Sequence, residues 1–256
     1  MRRGLRSMTS RLARRLYPYG TVRPVLRGPW RGFRYVVEPG MGATFGLGLA
    51  DYRAQFLSRH VRAGMVVYDV GANRGQMALL FSRLVSPAGR VVSFEPVAAL
   101  HRSMERNLAL NDVRNVDARC LAVADTTGRR PFLFAEDACT QGKLAGVEPT
   151  YEMPGAQRFD VDAAALDDLV RAGIPPPDFL KVDVEGGAAA VFRGAAAVLA
   201  RIGPAIYVEL HGPEEQRAVR DHLIAAGYRI ERVTGEPVLD PTARWDSALF
   251  CRPPQR

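Results

Sequence analysis

The stretch Val66-Val67-Tyr68-Asp69-Val70-Gly71-Ala72-Asn73-Arg74-Gly75 limits what this chain can fold into more than any other. An apolar run closes on an acid, two glycines bracket an asparagine, and an amphipathic segment follows. That order predicts a buried strand, a tight turn and a helix, the opening unit of an open α/β sheet. Gly71 and Gly75 lack a Cβ, so the turn is expected to let backbone approach a ligand closely. Asp69 puts a negative charge at the strand's carboxyl end, where such sheets bind their ligands. The charge opposes a pyrophosphate and favours a cation such as an aminium or a sulfonium.

A second apolar run, Arg90-Val91-Val92-Ser93-Phe94-Glu95-Pro96, ends on Glu95 twenty residues beyond Gly75. A carboxylate there can accept from both hydroxyls of a ribose. The two acids together point to a nucleoside-containing cofactor.

Further along, the pattern alternates. Strands are expected over 65–70, 90–95, 115–121, 179–184, 205–210, 228–233 and 247–251. Helices are expected over 51–61, 75–85, 97–110, 188–201 and 214–226, with a short one at 166–169. This predicts a doubly wound, mostly parallel α/β sheet with helices on both faces. Residues 18–48, dense in Pro and Gly, read as an irregular connector. Segment 129–134 reads as a short antiparallel excursion, and 136–158 as a long loop without periodicity. No internal repeat is present.

Composition narrows the class. The chain has 256 residues, 47% of them hydrophobic, enough for one sizeable core. Its three cysteines, Cys120, Cys139 and Cys251, form no CxxC pair, which argues for a reducing, cytoplasmic setting and no structural zinc. No apolar run approaches the roughly 20 residues of a membrane span.

The net charge of +8 is uneven. Ten arginines and no acid precede Glu38, while the remainder carries 25 basic and 27 acidic residues. The chain therefore divides into a basic extension over 1–48 and a near-neutral domain over 49–256. Leu5, Met8, Leu12 and Leu16 share one helical face among the arginines. A cap packed on the domain is preferred to a targeting peptide or to a helix on anionic lipid through residues 1–34. Nucleic acid is disfavoured because Tyr17, Tyr19 and Trp30 form no stacking pattern.

Two more segments carry chemistry. In Phe179-Leu180-Lys181-Val182-Asp183-Val184-Glu185-Gly186, three ionisable residues alternate, so Lys181, Asp183 and Glu185 are expected on one side of a strand end. Burying them costs several kcal/mol each unless they pair or line a cleft. In Ile206-Tyr207-Val208-Glu209-Leu210-His211, Glu209 and His211 alternate likewise, and His211 suits proton removal near neutral pH.

These segments, with Asn107-Leu108-Ala109-Leu110-Asn111 and Leu166-Asp167-Asp168-Leu169, occur in an order that resembles the FkbM family of S-adenosylmethionine-dependent methyltransferases. The resemblance covers about residues 45–252. It implies a seven-stranded, Rossmann-like class I methyltransferase sheet whose final antiparallel strand is 247–251. It also implies that Asp69, Gly71, Asn73 and Gly75 cradle the methionine half of S-adenosylmethionine. Glu95 would hold the ribose, and the turn carrying Ala122 and Asp125 would approach the adenine. The family is associated with O-methylation of hydroxyls in natural products and glycans, so the expected acceptor is a hydroxyl of a natural product, sugar or glycolipid. One departure stands out: Ala188 occupies a place where the family pattern usually has an acid.

The resulting expectation is that His211 or Asp183 takes the acceptor's proton. Glu185 and Glu209 would orient the acceptor, and Lys181 would steady Asp183. A divalent metal gathered by Asp183, Glu185 and Glu209 is a disfavoured alternative. Two rivals remain: a non-catalytic cofactor-binding module with a partner-binding arm, and a nicotinamide-dependent oxidoreductase. The latter would need the G-x-G-x-x-G spacing that the first turn lacks.

Overall fold

A computed structural model describes residues 15–39, 41–48, 52–135, 141–145, 155–238 and 248–254. A hairpin opens it, β1 (Val22–Pro24) with β2 (Arg34–Val36), followed by helices α1 (Ala43–Gly46) and α2 (Tyr52–His60). Strand β3 (Val66–Val70), helix α3 (Gln76–Val85), strand β4 (Arg90–Phe94), helix α4 (Ala98–Ala109) and strand β5 (Val116–Arg119) then alternate. After an inserted unit come β10 (Phe179–Val182), α6 (Ala188–Arg193), β11 (Ala205–Glu209), α7 (Pro213–Ala225), β12 (Arg229–Arg232) and β13 (Ala248–Arg252).

The main sheet has seven strands in the order β12-β13-β11-β10-β3-β4-β5. All its pairings are parallel except those of β13, which lies antiparallel between β11 and β12. Winding reverses between β3 and β10, so their carboxyl ends open a crevice at the switch point. Period-two alternation builds the two cores. Val67, Val91, Phe179 and Tyr207 enter one layer, whereas Tyr68, Val92, Leu180 and Ile206 enter the other. Among the described residues no helix is long and apolar enough to cross a membrane.

Several expectations are corrected. The excursion is a second, four-stranded sheet in the order β6-β9-β7-β8, made of β6 (Ala122–Val123), β7 (Gly128–Ala135), β8 (Gln141–Leu144) and β9 (Gln157–Ala164). Both β8 and the start of β9 fall where a loop was expected. Phe159, Val161 and Ala163 alternate inward along β9 against more exposed Asp160 and Asp162, a period-two signal. Helix α5 (Leu166–Arg171) follows. The helix expected over 188–201 breaks at Gly194, where a Cβ would sit 2.0 Å from the Ala124 carbonyl oxygen, and resumes as a π-helical turn over Val198–Ile202.

Residues 18–48 are not an irregular connector. Tyr17, Trp30, Phe33, Tyr35 and Met41 are buried in the same layer as α2 and α3. Asn107 in the last turn of α4 and Asn111 just beyond its end clasp β2. Asn107 Oδ1 accepts the Val36 N–H at 2.9 Å, and Asn111 accepts the Arg34 N–H and donates to the Arg34 carbonyl, both at 2.7 Å. The Asn-x-x-x-Asn spacing thus acts as a strand partner presented by the end of a helix and the turn after it. Of the arm's apolar face, Leu5, Met8 and Leu12 lie outside the described residues, and Leu16 is exposed.

Candidate functional site

Strands β3 and β10 are in register, Asp69 beside Lys181, so the two side chains meet under the crevice. Lys181 Nζ lies 3.1 Å from Asp69 Oδ1, 3.1 Å from the Gly71 carbonyl oxygen and 3.5 Å from Asp183 Oδ2. Burial works against the ammonium, but Asp69, Asp183 and Glu209 outweigh it and hold Lys181 protonated. Burial likewise pushes the Asp69 carboxyl upward against the pull of Lys181. Asp69 is fully buried and does not line the cavity, contrary to its expected role as a charge facing the ligand.

The glycines of the turn also serve packing. A Cβ on Gly71, at φ +79°, would sit 1.9 Å from the Asp183 carbonyl oxygen, and one on Gly75 would sit 2.8 Å from Met104 Cγ. Gly71 therefore lets the ends of β3 and β10 pass each other and also lines both cavities, while Gly75 admits α4. Gly71→Ala is expected to cost about 3 kcal/mol or more, readable by chemical denaturation, because left-handed strain adds to a backbone clash.

The crevice above is a cavity of about 300 Å³. At one end Glu95 is held rigidly: Oε2 accepts the Asn73 N–H and Oε1 the Val97 N–H, both at 2.9 Å. Burial raises its pKa to about 7, with those two N–H groups opposing. Leu100, Leu121, Ala122 and Val123 make an apolar wall beside it. Asp125 does not line the cavity; it pairs with Arg130 at 2.7 Å and Arg193 at 3.6 Å.

At the other end, His211 lies between two carboxylates, Nε2 at 3.3 Å from Asp183 Oδ1 and Nδ1 at 3.1 Å from Glu185 Oε2. Strand β10 ends at Val182, so Asp183 and Glu185 do not share a strand face as expected; the turn that follows brings them to His211. Burial opposes the imidazolium, but Asp183 and Glu185 raise its pKa to about 9. Burial also opposes the Asp183 carboxylate, yet Lys181 and His211 lower its pKa to about 2. Glu209 pairs with Arg53 at 2.9 Å; burial, then the nearby Asp183 charge, raises its pKa. Glu209 is thus engaged by Arg53 and Glu185 by His211. Among the described residues no group of three or more His, Cys, Asp or Glu is arranged to hold a metal ion.

A smaller cavity of about 190 Å³ adjoins, lined by Met41, Arg74 and Lys181 and sharing Arg53, Asn73 and Asp183 with the first. Phe132, Phe134 and Leu144 of the second sheet form the opposite wall of the main crevice.

A family model described as Methyltransferase FkbM domain matches residues 69–230. The chain belongs to this FkbM family. Among curated relatives, Methyltransferase sdnD of Sordaria araneosa is 29% identical over 157 residues, 50% of this chain and 59% of that protein. The 31-O-demethyl-FK506 methyltransferase FkbM of Streptomyces tacrolimicus is 33% identical over 131 residues, 46% and 44% of the two chains. This chain spans about half the length of the curated relatives it matches. A crystal structure of methyltransferase FkbM from Methylobacillus flagellatus KT superposes with TM-score 0.52 at 17% identity, over 73% of this chain and 43% of that one. The shared fold is that of class I methyltransferases.

Three contributors in this FkbM chain escaped sequence reasoning. Arg53 carries no local signal; only tertiary packing sets it against Glu209. Glu38 reaches from the N-terminal segment to accept from Arg74 Nε at 2.8 Å, while Arg74 also donates to Asn73 Oδ1, so that segment braces the glycine turn. Glu215 is buried, its Oε1 accepting the Ala188 N–H at 3.0 Å and its Oε2 the His211 N–H at 2.8 Å. An acid in the first turn of α7 was the available clue, though it reads only as a favourable helix end. The place where an acid was missed, Ala188, is therefore served by a carboxylate from another helix.

Proposed function

We propose that the chain is an S-adenosylmethionine-dependent O-methyltransferase acting on a hydroxyl of a natural product, sugar or glycolipid. The observation that carries this reading is that Glu95 and the Asp183–His211–Glu185 cluster face a single cavity at the sheet's switch point. The residues fit the cofactor. Glu95 has both oxygens oriented by backbone donors and retains lone pairs for ribose hydroxyls. Its apolar neighbours suit an adenine. Four carboxylates line the cavity, Glu95, Asp183, Glu185 and Glu209, against the basic Arg53, Lys143 and His211, an excess of acid that suits a cationic donor.

Bound S-adenosylmethionine supplies an electrophilic methyl carbon on a sulfonium, whose departure as a neutral thioether needs no acid. The chain's own residues then align the acceptor and receive its proton. Asp183, held near pKa 2 by Lys181, is a weak base, whereas His211 titrates within reach of physiological pH. His211 therefore takes the proton, and the carboxylates at its two nitrogens stabilise the imidazolium formed. The phenyl rings of Phe132 and Phe134 keep water from that wall of the cavity. The named activity of the Streptomyces relative supports oxygen as the accepting atom.

The test is transfer of isotopically labelled methyl from S-adenosylmethionine to a panel of hydroxyl-bearing polyketides, sugars and glycolipids. Label in an acid-stable ether supports the proposal. Tight cofactor binding with no product on any acceptor would instead favour the non-catalytic module.

A further inference from the structure

Four of the six large hydrophobic side chains exposed among the described residues fall between positions 16 and 47. Leu16 is 61% exposed, Tyr19 54%, Leu26 50% and Leu47 40%. The same segment exposes Arg15, Arg27, Arg31 and Arg34 and has no acid before Glu38, whose carboxylate is engaged by Arg74. Leu26 and Leu47 are brought side by side, because the Leu26 N–H bonds the Gly46 carbonyl at 2.8 Å. Arg23 donates to the Leu16 carbonyl at 3.4 Å. The Asn107–Asn111 clasp and the buried Trp30, Phe33 and Tyr35 fix the segment to the domain.

We infer that this face docks on an anionic phospholipid surface. The exposed leucines enter the acyl boundary and the arginines meet the headgroup phosphates. Nucleic acid fits the same arginines less well. Stacking on successive bases requires several exposed aromatic rings, yet Tyr17, Trp30, Phe33 and Tyr35 are buried, and Tyr19 stands out beside three exposed leucines. Met41 of this segment lines the smaller cavity beside the crevice, so the docking segment and the site belong to one packed unit. The docking itself does not depend on the proposed chemistry.

The experiment is co-sedimentation of the full chain with phosphatidylcholine vesicles, with and without about one-third phosphatidylglycerol. The wild-type chain is expected to pellet only with the anionic vesicles, and less so as salt rises. Combined Leu16→Ser, Leu26→Ser and Leu47→Ser should weaken binding by at least about tenfold, with an unchanged melting temperature. Arg27→Gln and Arg31→Gln should each weaken it about fivefold. Wild-type protein left in the supernatant would overturn the inference. So would leucine variants that pellet like wild type, or single-stranded nucleic acid bound more tightly than the vesicles.

Discussion

His211→Gln is expected to lower kcat/KM for methyl transfer by about 10²–10⁴-fold. The glutamine keeps hydrogen-bonding capacity between Asp183 and Glu185 but cannot take a proton. Wild-type enzyme should show the cause in its pH profile. With the free imidazole at a pKa of about 9, kcat/KM should climb about tenfold per pH unit from neutrality and level off near that value. A cation bound in the same crevice disfavours the imidazolium, so the break in kcat should lie at lower pH than the break in kcat/KM. In the variant the climb above neutrality should disappear, leaving only the Glu95-dependent limb near pH 7. The linkage runs the opposite way to the rate. A raised imidazole pKa stabilises the fold fully below 6.5, and that contribution is lost as pH rises through about 9. Rates near the plateau therefore need a parallel melting curve. A wild-type profile that is flat across this range would remove His211 from the proton's path.

Lys181→Met is expected to cost about 3–5 kcal/mol of stability, measured by urea denaturation. The change strands Asp69, which is wholly buried and whose oxygens accept no hydrogen bond among the described residues apart from the Lys181 ion pair. It also releases Asp183 from the charge that keeps it ionised. Two controls separate the buried charge from lost packing. Lowering the pH should shrink the deficit as Asp69 takes up a proton, and adding Asp69→Leu should recover much of the loss, since apolar replacement of both partners can be neutral or better. A deficit indifferent to pH and to the second substitution would place the energy elsewhere.

How far the residues reveal these features depends on range. The strands and helices of the main sheet follow from runs such as Val66–Val70 and Phe179–Val182, bounded by acids and glycines whose meaning is local. The second sheet is harder to read, because β9 alternates Phe159, Val161 and Ala163 with Asp160 and Asp162 and looks polar to a composition count. Over 18–48 the Pro and Gly density correctly signals turns but hides the aromatic residues between them, and those decide the burial. At the site, Glu95, Asp183, Glu185, Glu209 and His211 all line the cavity, as strand-end placement suggested. Asp69 and Asp125 do not, for reasons distant in the chain: strand register sets Lys181 against one, and Arg130 and Arg193 engage the other. Arg53 and Glu215 belong to neighbouring helices and act only through tertiary contact.

The account rests on one crevice recognising a sulfonium-bearing nucleoside, and calorimetric titration of the full chain with S-adenosylmethionine tests that most directly. Binding at one site per chain is predicted, with no binding of NAD. The affinity should drop as pH is lowered through the Glu95 pKa of about 7, and that drop should vanish in Glu95→Gln. Absence of heat with S-adenosylmethionine, or saturable binding of NAD in its place, would contradict the account.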